Sequence, residues 1–220
     1  MLAEQFELAP WAGELAPRYN IAPGQAVAVV RVGAEGARVL DSLRWGLVPA
    51  WAKDPAIGHR LINARVETLP VKPAYRDALR RRRCLIAADG FYEWQRRERG
   101  KQPYWIARAD RRPFGFAGLW ESWSDARDER LETCTIVTTA ASPALRSIHE
   151  RMPLIVAPEH YGRWLDPARA DARALLALLG AGECSELRAR AVSAAVNNPR
   201  REGPALIEPQ ARTGEPSSSD

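Results

Sequence analysis

The chain has 220 residues, 46% of them hydrophobic, and a formal net charge of +5. That is enough for one sizeable core of ordinary globular composition. It holds no run of the roughly 18 apolar residues that cross a membrane and no secretory signal, so a cytoplasmic location without membrane partners is expected.

In chain order, "MLAEQFELAP" opens with Leu2, Phe6 and Leu8 beside Glu4 and Glu7, an amphipathic helix with no Ser, Thr, Asp or Asn cap in front of it. "PRYNIAPGQ" (17–25) is rich in turn formers and reads as an ordered loop. "AVAVVRV" (26–32) and "ARVLDSLRWGLVP" (37–49) read as paired strands across a Gly-containing turn. "LINARVETL" (61–69) is short and mixed, and "YRDALRRRR" (75–83) has helical spacing with Pro73 just ahead. From there the pattern predicts strands over 84–94, 102–109, 113–123, 131–141 and 152–157. Helices follow at "PEHYGRWL" (158–165) and "ARADARALLALL" (168–179), then a strand at 189–196. The tail 210–220 has nothing apolar to set against the entropy of ordering and is expected to be disordered. The whole reads as one α+β domain over 1–209, its strands folded back on themselves.

Cys84, Cys134 and Cys184 are odd in number, widely spaced and free of any CxxC pair. This argues against a disulfide scaffold or zinc site, and Cys84 and Cys134 read as buried, inert thiols. His59, His149 and His160 are too scattered for a metal motif. No metal and no cofactor are expected.

Charge is concentrated. Ten Lys or Arg face four Asp or Glu between Lys72 and Trp105, while the rest of the chain is nearly neutral. Two readings stay open: an anionic partner, of which nucleic acid is the commonest large one, or a solvated helix face ending at Arg80 to Arg83.

Four stretches place polar groups in apolar or turn-rich surroundings: Asn63 and Arg65 in "LINARVET", Glu93 in "ADGFYEW", His149 and Arg151 in "SIHERMPLIV", and the tandem Asn of "VNNPRREGP" (196–204). Glu93 lies between Tyr92 and Trp94 in sequence. Partial desolvation there raises a carboxyl pKa and suits it to proton transfer; an outward-facing residue paired with a nearby arginine is the plainer alternative. His149 alone reads as a surface or capping residue, but if it meets Glu93 the two can divide acid and base roles. There is no GxSxG, no HExxH and no Gly-rich phosphate loop. Among eight tryptophans, Trp45, Trp51 and Trp94 lie in Gly- or Pro-punctuated segments where a ring can stay exposed, and exposed rings beside arginines grip single-stranded DNA.

Taken in order, "PRYNIAPGQ", "WGLVPAW", "INARVET", "RRRRCLIAADGFYEW", "AGLWE", "TIVTTAAS", "IHERMPLIV" and "VNNPRREGP" resemble the SRAP (SOS response-associated peptidase) family, whose members handle abasic sites in single-stranded DNA. The resemblance runs from Pro17 to Pro209. It implies a largely antiparallel, barrel-like β core flanked by helices, and a monomer whose partner is single-stranded DNA containing abasic sites, nucleoid-associated when bound.

In the family, the α-amine of an N-terminal cysteine attacks the aldehyde of the ring-opened abasic sugar to give a Schiff base. Its thiol then closes a thiazolidine, leaving a covalent protein–DNA crosslink. An α-amine titrates at about 7.7–8.0 against about 10.4 for lysine, so far more of it is nucleophilic at neutral pH. By resemblance Asn63 hydrogen-bonds near the sugar and the terminal amine, Glu93 shuttles protons, and His149 serves ring opening, reversal or strand cleavage by β-elimination. Arg65 and Arg151 hold phosphates, while the loop at Pro23, with Trp51 and Trp94, frames a kinked strand. Family members begin Met-Cys-Gly and this chain begins Met-Leu, so Met1 is expected to be an internal position of the natural protein, which leaves the chain a DNA-binding surface without its nucleophile. Two alternatives are a non-crosslinking binder of single-stranded or abasic DNA, and a peptidase or hydrolase using Glu93 and His149.

Overall fold

The computed structural model describes residues 2–11, 13, 15–171, 174–177 and 187–210. Parts of the 168–179 helix, Cys184 and the tail 211–220 lie outside the described residues. The strands are β1 (Ala26–Val32), β2 (Arg38–Trp45), β3 (Asn63–Arg65), β4 (Arg83–Ala88), β5 (Gly90–Arg96), β6 (Lys101–Arg108), β7 (Phe114–Ser124), β8 (Arg130–Ala140), β9 (Arg151–Pro153), β10 (Ile155–Val156) and β11 (Leu187–Ala191). Short helices α1 (Leu2–Phe6), α2 (Arg76–Arg81) and α3 (Tyr161–Leu165) flank them.

Strands β1, β2, β8, β7 and β4 pair in that order, and β4 pairs back with β1, closing a five-stranded barrel. Every pairing in the ring is antiparallel except β2 with β8. The expected α+β fold with a largely antiparallel barrel core is therefore the observed one. Alternation along each strand sorts the apolar residues into two sets. Val29, Leu43, Cys84, Ile86, Phe116, Cys134 and Ile136 fill the interior. Val30, Leu40, Leu85, Ala117 and Leu119 form the outer face, where Phe6, Leu79, Tyr161 and Trp164 cover them from the helices. Gly118 shows how tight the interior is: a Cβ there would meet Cys84 Sγ at 2.9 Å. The uncapped opening helix is held by Phe6, which is fully buried and stacks on Tyr161 with ring centroids 5.3 Å apart.

Three expected strands are broken, each for a local reason. The 84–94 run divides at Asp89, after which β5 leaves the barrel for a second sheet ordered β11–β6–β5. A Cβ at Gly90 would meet the Trp105 ring at 2.2 Å, so this start of β5 tolerates no side chain. The 152–157 run changes partners at Leu154. Its N–H donates to Val137 O and its carbonyl accepts from Ala117 N–H, both at 2.8 Å, so β9 pairs with β8 and β10 with β7. The 189–196 run ends at Ala191, where Ser193 Oγ accepts from Ala195 N–H and starts a 3-10 turn over Ala194–Asn197.

The solvated-face reading of Arg80 to Arg83 holds for only half of the cluster. Arg80 and Arg81 are exposed, but Arg82 pairs with Glu121. Arg83 is 3% exposed and donates to the carbonyls of Leu79, Arg80, Trp164 and Asp166. It serves both helix C-termini, whose last carbonyls lack partners of their own. No helix among the described residues is long and apolar enough to cross a membrane.

β8 does two jobs. Its first half closes the barrel between β7 and β2, and its second half carries β3 on one side and β9 on the other. That second half lies at the barrel end where β1 begins and β2 and β4 finish, and there the candidate residues gather.

Candidate active site and nucleic-acid interface

β3 shows the simplest case. Ala64 is buried while Asn63 and Arg65 are exposed, because alternation turns one residue into the core and its neighbours outward. Asn63 and Arg65 stand opposite Ile136 and Thr138 of β8. Just past β3, Glu67 accepts both ends of the Arg151 guanidinium, Nη1 to Oε1 at 2.6 Å and Nη2 to Oε2 at 3.0 Å. Arg151 Nη2 also donates to Thr138 O at 2.7 Å. The hydrogen bond from Arg151 holds the Glu67 carboxyl below the usual glutamate range.

Arg151 also orients His149. The imidazole Nδ1 lies 2.9 Å from the Arg151 carbonyl and 3.2 Å from the Arg151 N–H. Both contacts use Nδ1, so the ring is anchored through that atom and Nε2 takes no part in them. The same Nδ1 is 3.8 Å from Glu93 Oε1, close enough for charge coupling though not for a hydrogen bond. Two anchors hold this segment: Leu145 enters the barrel-interior cluster, and Gln95 Nε2, two residues along β5 from Glu93, donates to Ser147 O at 2.9 Å.

The Glu93 side chain is 22% exposed. Burial pushes its carboxyl pKa up, while the charge of His149 and the Trp94 backbone N–H pull the other way. The direction expected from the sequence is thus found, but its cause differs. Tyr92 and Trp94 lie on the opposite face of β5, packed with Trp105, Val192 and Val196, so the rings do not sandwich the carboxylate. An unbroken chain of contacts runs Glu93–His149–Arg151–Glu67, ending one turn from Asn63 and Arg65.

The remaining expected residues form the rim. Trp94 Nε1 donates to Asn197 Oδ1 at 2.8 Å, which joins "VNNPRREGP" to β5. Asn20, buried in the loop before β1, donates to the carbonyls of Val196, Asn198 and Arg201 and so clamps that segment. Sequence reasoning missed Asn20; its signal was one Asn in a Pro- and Gly-rich loop, where Asn usually serves its own turn. Pro23 is exposed beside Gly24, whose N–H donates to Trp45 O at 2.7 Å at the end of β2. Trp45 is half-buried, with Nε1 on Ile62 O. Trp51 stands apart from the Glu93–His149 pair, 60% exposed on the loop after β2, where it lines a groove with Lys53, Ile57 and Arg60.

Cys84 and Cys134 are buried inside the barrel, and burial raises both thiols, Cys134 to about 12. Neither can act as a nucleophile there.

Known proteins similar to this chain share one family description. The family model described as SOS response associated peptidase (SRAP) matches residues 1–199. The chain is 41% identical over 210 residues to abasic site processing protein YoqW of Bacillus subtilis, covering 94% of this chain and 93% of that protein. It is 35% identical to abasic site processing protein YedK of Escherichia coli over 211 residues, covering 95% and 92%. It is 34% identical to abasic site processing protein HMCES of Gallus gallus, covering 90% of this chain and 67% of that protein. A crystal structure of a Bordetella bronchiseptica protein superposes with a TM-score of 0.74 at 29% identity, covering 87% of this chain and 94% of the other. The family match covers most of the chain, and the chain belongs to the SRAP family.

Proposed function

We propose that this protein binds single-stranded DNA at abasic sites and supplies the proton transfers by which they are processed. The observation that carries the reading is the Glu93–His149 contact, 3.8 Å apart, set between exposed Arg65, half-buried Arg151 and Trp94. The naming of the relatives as abasic site processing proteins supports it.

An abasic sugar in its open form presents an aldehyde. When an amine adds to it, the resulting carbinolamine must lose its hydroxyl as water, and that step needs a proton. A carboxyl whose pKa is raised by burial is suited to supply it and then to take a proton back. His149, anchored through Nδ1, is placed to assist opening of the sugar ring. Asn63 offers an amide for the sugar hydroxyls or the attacking amine. Arg65 and Arg151 hold the flanking phosphates, with Trp94 as a stacking surface and Pro23 and Trp51 at the rim.

The covalent step belongs to a form that presents an amine and a thiol on one terminal cysteine. The amine forms the Schiff base with loss of water, and the thiol then adds across the C=N bond to close a thiazolidine. Buried Cys84 and Cys134 do not substitute.

Fluorescence anisotropy with a single-stranded oligonucleotide bearing a central tetrahydrofuran abasic analogue tests the reading. The protein is expected to bind it more tightly than the intact strand or a duplex, with affinity falling steeply as salt rises. Equal affinity for all three would overturn the abasic preference, and no binding would overturn the function. On a denaturing gel, a form carrying an N-terminal cysteine is expected to give a covalent adduct with abasic DNA, slowed by Glu93→Gln.

A further inference from the structure

The β5–β6 hairpin carries an exposed basic cluster, and its layout is costly. Arg96, Arg97, Arg99 and Lys101 are all exposed, with Glu98 the one acid among them. Cross-strand register sets Arg96 directly opposite Lys101, and like charges so placed destabilise a sheet. Among the described residues, Arg96, Arg99 and Lys101 make no ion pair. A fold that needed only a turn here gains nothing from Arg96, Arg99 and Lys101.

The hairpin is also tied to the site. Arg97 Nη2 donates to the Tyr104 hydroxyl at 3.3 Å, and that hydroxyl donates to Gln95 Oε1 at 3.2 Å. Gln95 Nε2 in turn holds Ser147, in the segment that positions His149. Trp94, Arg96 and Lys101 share one face of the hairpin, and Glu93 and Gln95 share the other. β5 is an edge strand, so both faces are reached around one free edge. Arg96 stands about 10 Å along that edge from Glu93.

We propose that this hairpin is a second backbone-binding station for single-stranded nucleic acid. Phosphates on one side of the lesion neutralise Arg96, Arg99 and Lys101 while a base stacks on Trp94, the combination that grips unpaired strands. Arg96, Arg99 and Lys101 all lie beyond Glu93 toward the hairpin turn, so they are placed to grip one flank of the strand. The proposal rests on the DNA-binding reading above and adds a polarity to it.

The test is anisotropy with a short oligonucleotide centred on a tetrahydrofuran analogue, then lengthened on the 5′ side alone or the 3′ side alone. The expected result is a gain of about tenfold on one side and none on the other. The triple variant Arg96→Ser, Arg99→Ser, Lys101→Ser is expected to keep the affinity for the short strand and lose the gain. Its salt slope on the long strand should fall by about 2, at roughly 0.7 for each phosphate that is no longer neutralised. Lys101→Glu is the control for folding: it places opposite charges across the hairpin, so it should keep or raise Tm while still reducing the gain. Equal gains on both flanks, a gain that survives the triple variant, or equal losses on short and long strands would each overturn the proposal. Failure of the wild type to bind even the short strand would sink the DNA-binding reading itself.

Discussion

The two ends of the barrel treat charge in opposite ways. Where β1 finishes and β2 and β8 begin, Arg31 points into the barrel. Its Nε meets Asp41 Oδ2 at 2.6 Å, its two Nη atoms meet both oxygens of Glu132 at 2.9 and 2.7 Å, and its guanidinium lies 4.3 Å from the Trp120 ring centroid. Arg31, Asp41 and Glu132 all have partners there. At the other end Arg151 is paired with Glu67, but Glu93 and His149 approach without a hydrogen bond, and the Arg65 guanidinium makes none among the described residues. Charges paired to completion plug and hold a barrel; charges left short of partners are available to a ligand.

Removing Arg31 tests the first half of that contrast and should give the largest effect. Arg31→Ala leaves Asp41 and Glu132 facing each other across the barrel mouth. Their side chains are 34% and 38% exposed, so water offsets part of the cost, and about 2 kcal/mol is expected. For a chain of this size that is a Tm loss of roughly 4–8 °C. Affinity for abasic single-stranded DNA, measured well below Tm, should not change. A variant that kept its Tm but lost DNA binding would break the comparison.

Arg65 is the converse case, with an effect on binding and almost none on stability. Arg65→Ala is expected to leave Tm within about 1 °C, since exposed side chains without partners usually change stability by less than ~0.5 kcal/mol. The slope of log K against log salt should fall by about 0.7, the signature of one phosphate contact on a single strand. An unchanged slope with weaker binding would mean that Arg65 acts on the base or sugar rather than on the backbone.

The barrel was legible in the sequence where one strand has one job. β1 falls at 26–32 as expected, and β6, β7 and β8 lie within one residue of their expected bounds, because each keeps a polar or Gly/Pro break at both ends. Partner changes were not legible. In "CLIAADGFYEW" the Asp89–Gly90 pair marks a break, but nothing there shows that β5 leaves for another sheet, since the reason lies 15 residues on, in the Trp105 ring that covers Gly90. The arginines at 80–83 fail for a related reason: a charge count does not distinguish Arg83, which caps two helices from inside, from Arg81 in solvent. For the site, residue types pointed to Glu93 and His149, but only the fold brings them together, across 56 positions of chain. Glu67 went unnoticed because its significance is its grip on Arg151.

The smallest expected effect concerns the state of Glu93 itself, and it probes whether the open end of the barrel is built for proton transfer. Burial raises its folded-state carboxyl pKa above the unfolded value. The protonated form is therefore favoured by folding, and the resulting stability is fully present below the unfolded pKa and lost as pH rises through the folded one. Glu93→Gln removes the buried charge, so the variant should melt above the wild type at pH 8, by about 2 °C, and the gap should close as pH falls toward 4. Parallel melting curves across that range would show Glu93 to be freely solvated and would remove the basis for its role as a proton donor. The charge of His149 pulls the Glu93 carboxyl the other way, so the profile should be repeated with His149→Ala. Without the opposing imidazolium charge, the wild-type carboxyl loses the contribution that pulls its pKa down, and the Glu93→Gln gap should close at a higher pH.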